Sequence, residues 1–454
     1  METDKTRKCS AFPAKRKIFE KIVTFLFPET SHPQVTQKCL PSQALWNMFM
    51  VSFMKIMEIN TMKKHILALG ITSAIAGVVT PVSADVTLYD YEQPTSAYED
   101  AYVSGRLNVN SGNQDQTSHD LNLDMNYERV FSSPDRDVKI NGDLQGSSKR
   151  GPNSGDETQE NYIGTGSVGM NKYFQPDSKG AFWYTDGEVG VKKGADDPRV
   201  KVGAGVGYGR VVNVTPMAQA IRLVEALRDK NKLTGDLTKA EYNQLANVIA
   251  KESEYRSKYG ATDYRQNWVA DMEAVMQASG KTNGELGAAG ILKAYDVLVN
   301  ERISTRKHGW LVKAGLSEVI KDYDGGDGKP ALDIAGEYHK PLSNRTQFSN
   351  EASASAILQD DDNSYTARNN MSLTHEISDR VDWLNSWAID YDHNDKTGQD
   401  TTTNAASSTY RYYLSNKLAF DTVAALTKVD DGIDANGNDE VDKSLFMGVT
   451  YRLK

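Results

Sequence analysis

Two cysteines are the whole supply in 454 residues, and both, Cys9 and Cys39, lie near the start. Downstream of them, structural disulfides, thiolate metal sites and a lipid-attachment cysteine are all excluded. Long hydrophobic runs are equally scarce: mean hydropathy is -0.56, and a single apolar stretch, Ile66 to Val79, approaches membrane length. It falls short of the roughly 20 residues that a spanning helix needs. Met62-Lys63-Lys64-His65 precedes it and Pro81-Val82-Ser83-Ala84 follows. A basic start, a short apolar centre and a small-x-small end before Asp85 define a secretory signal over 62–84. Residues 1–61 then read as a start assigned too far upstream, with translation beginning at Met54, Met57 or Met62, or as a long leader.

Positive charge is short as well. Residues 1–84 hold 11 Lys+Arg and 5 Asp+Glu, leaving 41 basic and 56 acidic side chains in 85–454, a net charge of -15. Phosphate binding needs the opposite balance, so nucleic acid is excluded as a partner. Histidine is sparse: His119, His308, His339, His375 and His393 sit near strand ends without metal-ligand spacing. No Ser-His-Asp set can be nominated. The sequence therefore assigns no catalytic, metal or cofactor residue, and the expectation is a protein that is not an enzyme.

What is present is alternation. Leu121, Leu123, Met125 and Tyr127 alternate with Asn122, Asp124, Asn126 and Glu128, and the same period of two recurs through most of the chain. It predicts about 14 antiparallel strands: 100–110, 119–131, 136–148, 160–174, 181–193, 198–212, 308–321, 330–340, 345–358, 364–377, 380–393, 408–415, 417–429 and 443–454. A soluble sandwich shares this period. Length favours a membrane barrel instead, because 10–14 tilted residues cross a thin hydrocarbon layer. Tyr173, Phe174, Phe182, Trp183 and Tyr184 flank one short turn, as an interfacial aromatic girdle would. Every second connection is short: 132–135, 175–180, 341–344, 377–380 and 415–417. The others, such as 149–159, 322–329, 359–363, 394–407 and 430–442, are longer and acidic or rich in Gly and Asn, the asymmetry expected of periplasmic turns and external loops.

The final segment, Leu445, Met447, Val449, Tyr451 and Leu453 on one face, resembles the C-terminal assembly signal of outer-membrane barrels, although it ends in Leu453-Lys454 and not in an aromatic residue. The resemblance to porin-like outer-membrane β-barrels spans about 100–213 and 307–454 and is architectural. It implies an all-β transmembrane barrel, strands 1–6 in 85–213 and strands 7–14 in 307–454, in the outer membrane against lipid and lipopolysaccharide.

Residues 214–306 break the pattern where a short periplasmic turn is due. Their period is about 3.6, Thr215-Pro216 opens one helix, and Thr238-Lys239-Ala240-Glu241 is a capping box for a second that Gly260 stops. Third and fourth helices are expected over about 263–279 and 285–303. This inserted α-helical periplasmic subdomain is either a self-packed cap or a gate, plug or docking surface for a periplasmic protein.

Inside such a barrel the polar positions are Arg106, Asp124, Glu128, Lys139, Asp143, Lys201, Asp333, Glu337, Arg368, Glu376, Asp390 and Arg411. In a water-filled lumen these set selectivity; in a filled one they pair. Gly203, Gly205 and Gly207 alternate along a strand and relieve crowding on the lumen side, which is not the arrangement of a nucleotide loop. The acidic loops 322–327 and 430–440 could offer Ca²⁺ ligands, solvated turns being the plainer reading. The leading expectation is a channel for small polar solutes or ions with a helical gate or docking module. The alternative is a non-conducting barrel serving as envelope anchor or assembly protein, and a barrel enzyme is a distant third.

Overall fold

The computed structural model describes residues 86–453, apart from 92–94, 177–178, 324, 327, 360–361, 416, 434–435, 437 and 439. The leader and signal over 1–84 lie outside the described residues. Fourteen strands follow in chain order: β1 (Ser96–Asn110), β2 (Ser118–Ser133), β3 (Arg136–Arg150), β4 (Gln159–Tyr173), β5 (Ala181–Lys192), β6 (Arg199–Asn213), β7 (Lys307–Lys321), β8 (Lys329–Ser343), β9 (Thr346–Ile357), β10 (Tyr365–Ser378), β11 (Val381–Asn394), β12 (Gln399–Tyr413), β13 (Leu418–Asp430) and β14 (Asp442–Arg452). Each pairs antiparallel with its sequence neighbours, and β1 closes on β14. Closure removes the edges whose unpaired amides and carbonyls lipid cannot satisfy.

The strands run from 11 to 16 residues. At about 3.3 Å per residue and a tilt near 40°, they rise about 28–40 Å, more than the roughly 25 Å apolar band of such barrels. The distribution of side chains is inverted relative to a soluble protein. Leu445 is 71% exposed, and Val206 and Leu316 61%, whereas Glu376 and Asp382 are 1% exposed and Arg306 not at all. Along most strands alternation sends the apolar residues outward and the charges inward. A surface of this kind is stable only against lipid.

One end of the cylinder carries the short connections between β2 and β3, β4 and β5, β8 and β9, β10 and β11, and β12 and β13. The other carries the long loops. The expected loop over 394–407 is a correction: β12 begins at Gln399, and only 395–398 turn. Thr401 to Ser408 lack hydrophobic alternation, yet they pair residue for residue with β11, Thr403 opposite Asp390 and Ser407 opposite Ser386. Small and β-branched side chains satisfy the ladder without announcing it.

The aromatic girdle is also corrected. Phe174 and Trp183 are exposed on the outside, but Tyr173, Phe182 and Tyr184 are buried inside with Leu311. The cause is the run of glycines on β6. A Cβ on Gly205 would stand 2.6 Å from Tyr184 Cε1, and one on Gly207 2.6 Å from Phe182 Cε2. The glycines leave a groove on the inner wall, and the β5 rings lie in it.

Between β6 and β7 the chain builds four helices: α1 (Thr215–Asp229), α2 (Lys239–Ala250), α3 (Glu252–Ala278) and α4 (Gly287–Tyr295), followed by a π turn over Asp296–Asn300. Thr238 and Glu241 close the capping box, with Thr238 N donating to Glu241 Oε2 at 2.7 Å. The expected stop at Gly260 is instead a kink inside α3, where Gly260 adopts φ 80°. The second helix ends earlier, at Ala250, and the fourth stops well short of Ile303. Met217, Leu223, Leu227, Leu245, Met272 and Met276 form the core, joined by Leu88 and Tyr91 from the stretch before β1. Trp268 Nε1 donates to Val248 O at 2.8 Å, locking α3 onto α2. No helix among the described residues is long and apolar enough to cross a membrane.

Candidate functional site

The segment from Glu301 to Arg306, leading from the helices into β7, forms a strap across the short-turn mouth. Arg302 hydrogen-bonds the Tyr102 hydroxyl and reaches Asp100 Oδ2 at 3.6 Å, both on β1. Ser304 N donates to Glu376 Oε1 on β10 at 2.8 Å, and its hydroxyl to Asp382 Oδ2 on β11 at 3.1 Å. Arg306 Nη2 donates to Glu376 Oε1 at 2.6 Å and its Nε to Asn344 O at 3.3 Å. On the ring, β1 and β10 stand five places apart, so these contacts are chords through the barrel mouth and not links along its wall.

Arg222 of α1 completes a buried node by pairing with the second oxygen of Glu376. Burial works against the Arg222 charge, but Glu376 outweighs it and holds the guanidinium above its ordinary value. Burial pushes Arg306 downward, more than its attraction to Glu376 restores, and Arg222 beside it adds repulsion. A guanidinium remains charged through shifts of this kind. Two arginines of the insertion thus grip one carboxylate of the wall.

Further in, a second layer spans the lumen. Lys307 Nζ, at the start of β7, lies 3.4 Å from Glu128 Oε1 on β2, again five places round the ring. Lys139 on β3 meets the same oxygen at 3.4 Å, and Lys307 sits over the Tyr98 ring at 5.8 Å. Beside them Glu337 and His339 of β8 face Glu351 of β9, to which Glu337 is directly paired. His339 Nδ1 is 2.9 Å from Ser349 Oγ, while Nε2 lies 3.4 Å from Glu337 Oε2 and 3.9 Å from Glu351 Oε1.

Toward the long loops the inward groups meet water. Arg368 and Asp390 pair at 3.4 Å with side chains 67% and 42% exposed, and Asn126 donates to Asp143 at 2.8 Å while exposed. Strand alternation sets all twelve nominated positions opposite the exposed apolar residues. Lys201 pairs with Asp333 at 2.9 Å, Arg411 with Asp421 through two bonds of 2.8 Å, and Arg106 lies over Phe446 at 5.4 Å. Asp124 is opposite Ser104 and Gln145. Glu128, Lys139 and Glu337 come together in the cross-lumen layer, and Glu376 belongs to the node.

Sequence reasoning missed Arg222, Arg302, Arg306, Lys307 and Glu351, which do most of the bridging. The Glu337-x-His339 spacing was a usable signal, since residues two apart on a strand share a face. The other histidines stay apart: His119 beside Ser148 Oγ, His308 stacked edgewise on Tyr89, His375 on Thr346 Oγ1 and His393 on Asp400. The acidic loops are engaged locally. Asp322 meets Arg199 and Lys329, and Asp431 Oδ2 accepts from Asn436 and Asn438.

Residues 301–412 match a family described as "Protein of unknown function, DUF481", which is less than half of the chain. No curated protein matches the sequence. Among solved structures, an outer membrane channel from Pseudomonas putida F1 aligns at 7% identity and a TM-score of 0.31, over 82% of this chain and 98% of that one. Salmonella typhi OmpF in complex with daunomycin aligns at 6% identity and 0.31, over 80% and 99%. CdiB from Escherichia coli aligns at 9% identity and 0.34, over 78% and 62%. The closed ring of fourteen strands, charged within and apolar without, is the architecture of a membrane-spanning β-barrel, and it resembles that of outer-membrane proteins.

Proposed function

We propose that the barrel is a channel for small polar solutes or ions, entered from water at its long-loop end and shut at its short-turn end by the strap and helical module. In this reading the short-turn end, which holds the even-numbered turns and both chain ends of the barrel, faces the periplasm. The helical module is then the gate and the surface a periplasmic protein would engage, and the long loops lie among lipopolysaccharide.

The Lys307–Glu128 bridge carries the reading. The lumen is closed by charged groups that meet across it, and those groups separate without exposing apolar core. Eight strands already make a barrel that side chains fill, so fourteen enclose space that the wall alone leaves open. A second reading, a non-conducting barrel that anchors the module for envelope assembly, draws support from the buried Arg222–Glu376–Arg306 node.

Conductance in planar bilayers separates the two. Asn213 and Lys307 are directly paired, so 214–306 can be replaced by a two-residue hairpin turn. The wild-type protein should show rare or small openings and the shortened one, carrying Lys307→Ala as well so that the cross-lumen bridge is also released, a large, steady current. A shortened barrel that folds and carries no current would remove the channel reading.

A further inference from the structure

We infer that Glu337, His339 and Glu351 form a binding site for a divalent transition metal, best filled by Zn²⁺, within the layer that closes the lumen. Their donor atoms all lie within 4.8 Å of one another. The wall supplies them by simple geometry: Glu337 and His339 are two apart on β8, and Glu351 is the residue directly opposite Glu337 on β9.

Three observations point to a cation. Like charges directly opposite across an antiparallel pair are destabilising, yet Glu337 and Glu351 stand so. Among the described residues His339 is the group within ion-pair distance of both carboxylates, while Lys139 and Lys307 make their close contacts to Glu128 Oε1 and act on Glu337 and Glu351 only as more distant favourable charges. Thirdly, the His339 ring is aimed: its side chain is 1% exposed, Ser349 Oγ holds Nδ1, and Nε2 is directed between the two carboxylates. An imidazole oriented through its other nitrogen is the usual arrangement of a metal ligand.

The donor set selects the ion class. One nitrogen and two carboxylates suit Zn²⁺ with a water in the fourth place, whereas Ca²⁺ and Mg²⁺ take oxygen ligands in larger number. Tetrahedral Zn²⁺ at about 2.0–2.2 Å requires ligand atoms about 3.3 Å apart. Glu351, with its side chain 47% exposed, has room to turn toward the other two donors. The two carboxylates and the imidazole would then be drawn together at the constriction, independently of whether the barrel conducts.

Titration calorimetry with Zn²⁺ on the tag-free full chain in detergent tests the inference, with Co²⁺ absorption reporting the coordination. One site per chain is expected. Glu351→Gln and His339→Ala should each weaken it at least about tenfold, and Ser349→Ala by about 10- to 100-fold. His393→Ala, at a separate His–Asp pair near the long loops, should leave it unchanged, and millimolar Ca²⁺ should not compete. Should His339→Ala fail to fold, the half-exposed Glu351→Gln decides alone. Absence of Zn²⁺ binding, binding untouched by Glu351→Gln, loss in His393→Ala or displacement by Ca²⁺ would each overturn it.

Discussion

Glu376→Ala tests whether buried charge holds the strap in the mouth. Glu376 accepts from Arg306 Nη2 at 2.6 Å, from Ser304 N at 2.8 Å and from Arg222. Without it, two guanidiniums remain buried. The carboxylate next to them, Asp382, is already taken by Ser304 Oγ at 3.1 Å and the Tyr413 hydroxyl at 2.7 Å. Removing one partner of a buried pair costs about 3–5 kcal/mol. Each 1.4 kcal/mol is a factor of about ten, so the ratio of released to docked strap rises by about two to three and a half powers of ten. Trypsin reads that ratio, because Arg302 and Arg306 are cleavage points and Arg306 is fully buried. Where opening is fast relative to cutting, the nicking rate follows the open population. Mass spectrometry should show cleavage after Arg306 accelerated by that factor, with the β-sheet circular dichroism unchanged. Replacing the whole node, Glu376→Leu with Arg222→Met and Arg306→Met, should bring cleavage after Arg302 and Lys307, the sites left once Arg306 is gone, back to the wild-type rate, since apolar substitutes for an ion triad are near neutral. Wild-type nicking of a folded Glu376→Ala barrel would refute the electrostatic account.

The inner groove makes a second prediction: Gly207→Ala should lower refolding yield sharply, because its Cβ meets the Phe182 ring and Val312 O, while Gly166→Ala, with nothing within 4 Å, should refold normally. On the outer face, Met447→Arg should destabilise the barrel in lipid by about 2–4 kcal/mol if it lies at mid-depth and less near either rim, measured by urea unfolding in vesicles. Glu241 gives a pH prediction. The Thr238 amide, opposed by burial and aided by Lys281, holds its carboxyl below the ordinary glutamate value. A lowered folded value means that its stabilisation is complete above the ordinary glutamate pKa and fades as pH falls through the lowered one. Glu241→Ala should therefore cost about 0.3–1 kcal/mol of helical-module stability at pH 7 and low salt, and the difference should shrink in acid; an equal loss at both pH values would point to packing instead.

The strand count, the two classes of connection and the helical interruption were legible because each is a local property: a period, a run of turn residues, a change from 2 to 3.6. Gln399 to Ser407 escaped because polar threonines and small residues pair without alternating. The girdle failed for a different reason. Tyr173, Phe182 and Tyr184 would face lipid on composition alone, and the glycines that admit them to the interior lie on the neighbouring strand. The bridging residues were the least legible. Lys307 meets Glu128, and Arg302 meets Asp100, only because the sheet closes and brings distant strands face to face. Glu337 and His339 were readable as a pair, whereas Glu351 needed the β8–β9 register.

The joint between first and last strands differs from the rest. Most neighbouring strands share ten or more paired residues, but β1 and β14 share four, from Tyr102↔Arg452 to Gly105↔Val449. A cylinder stitched this unevenly has a grain. Pulled, heated or mistreated, it should unzip along that line first, and a chain still folding should fasten it last.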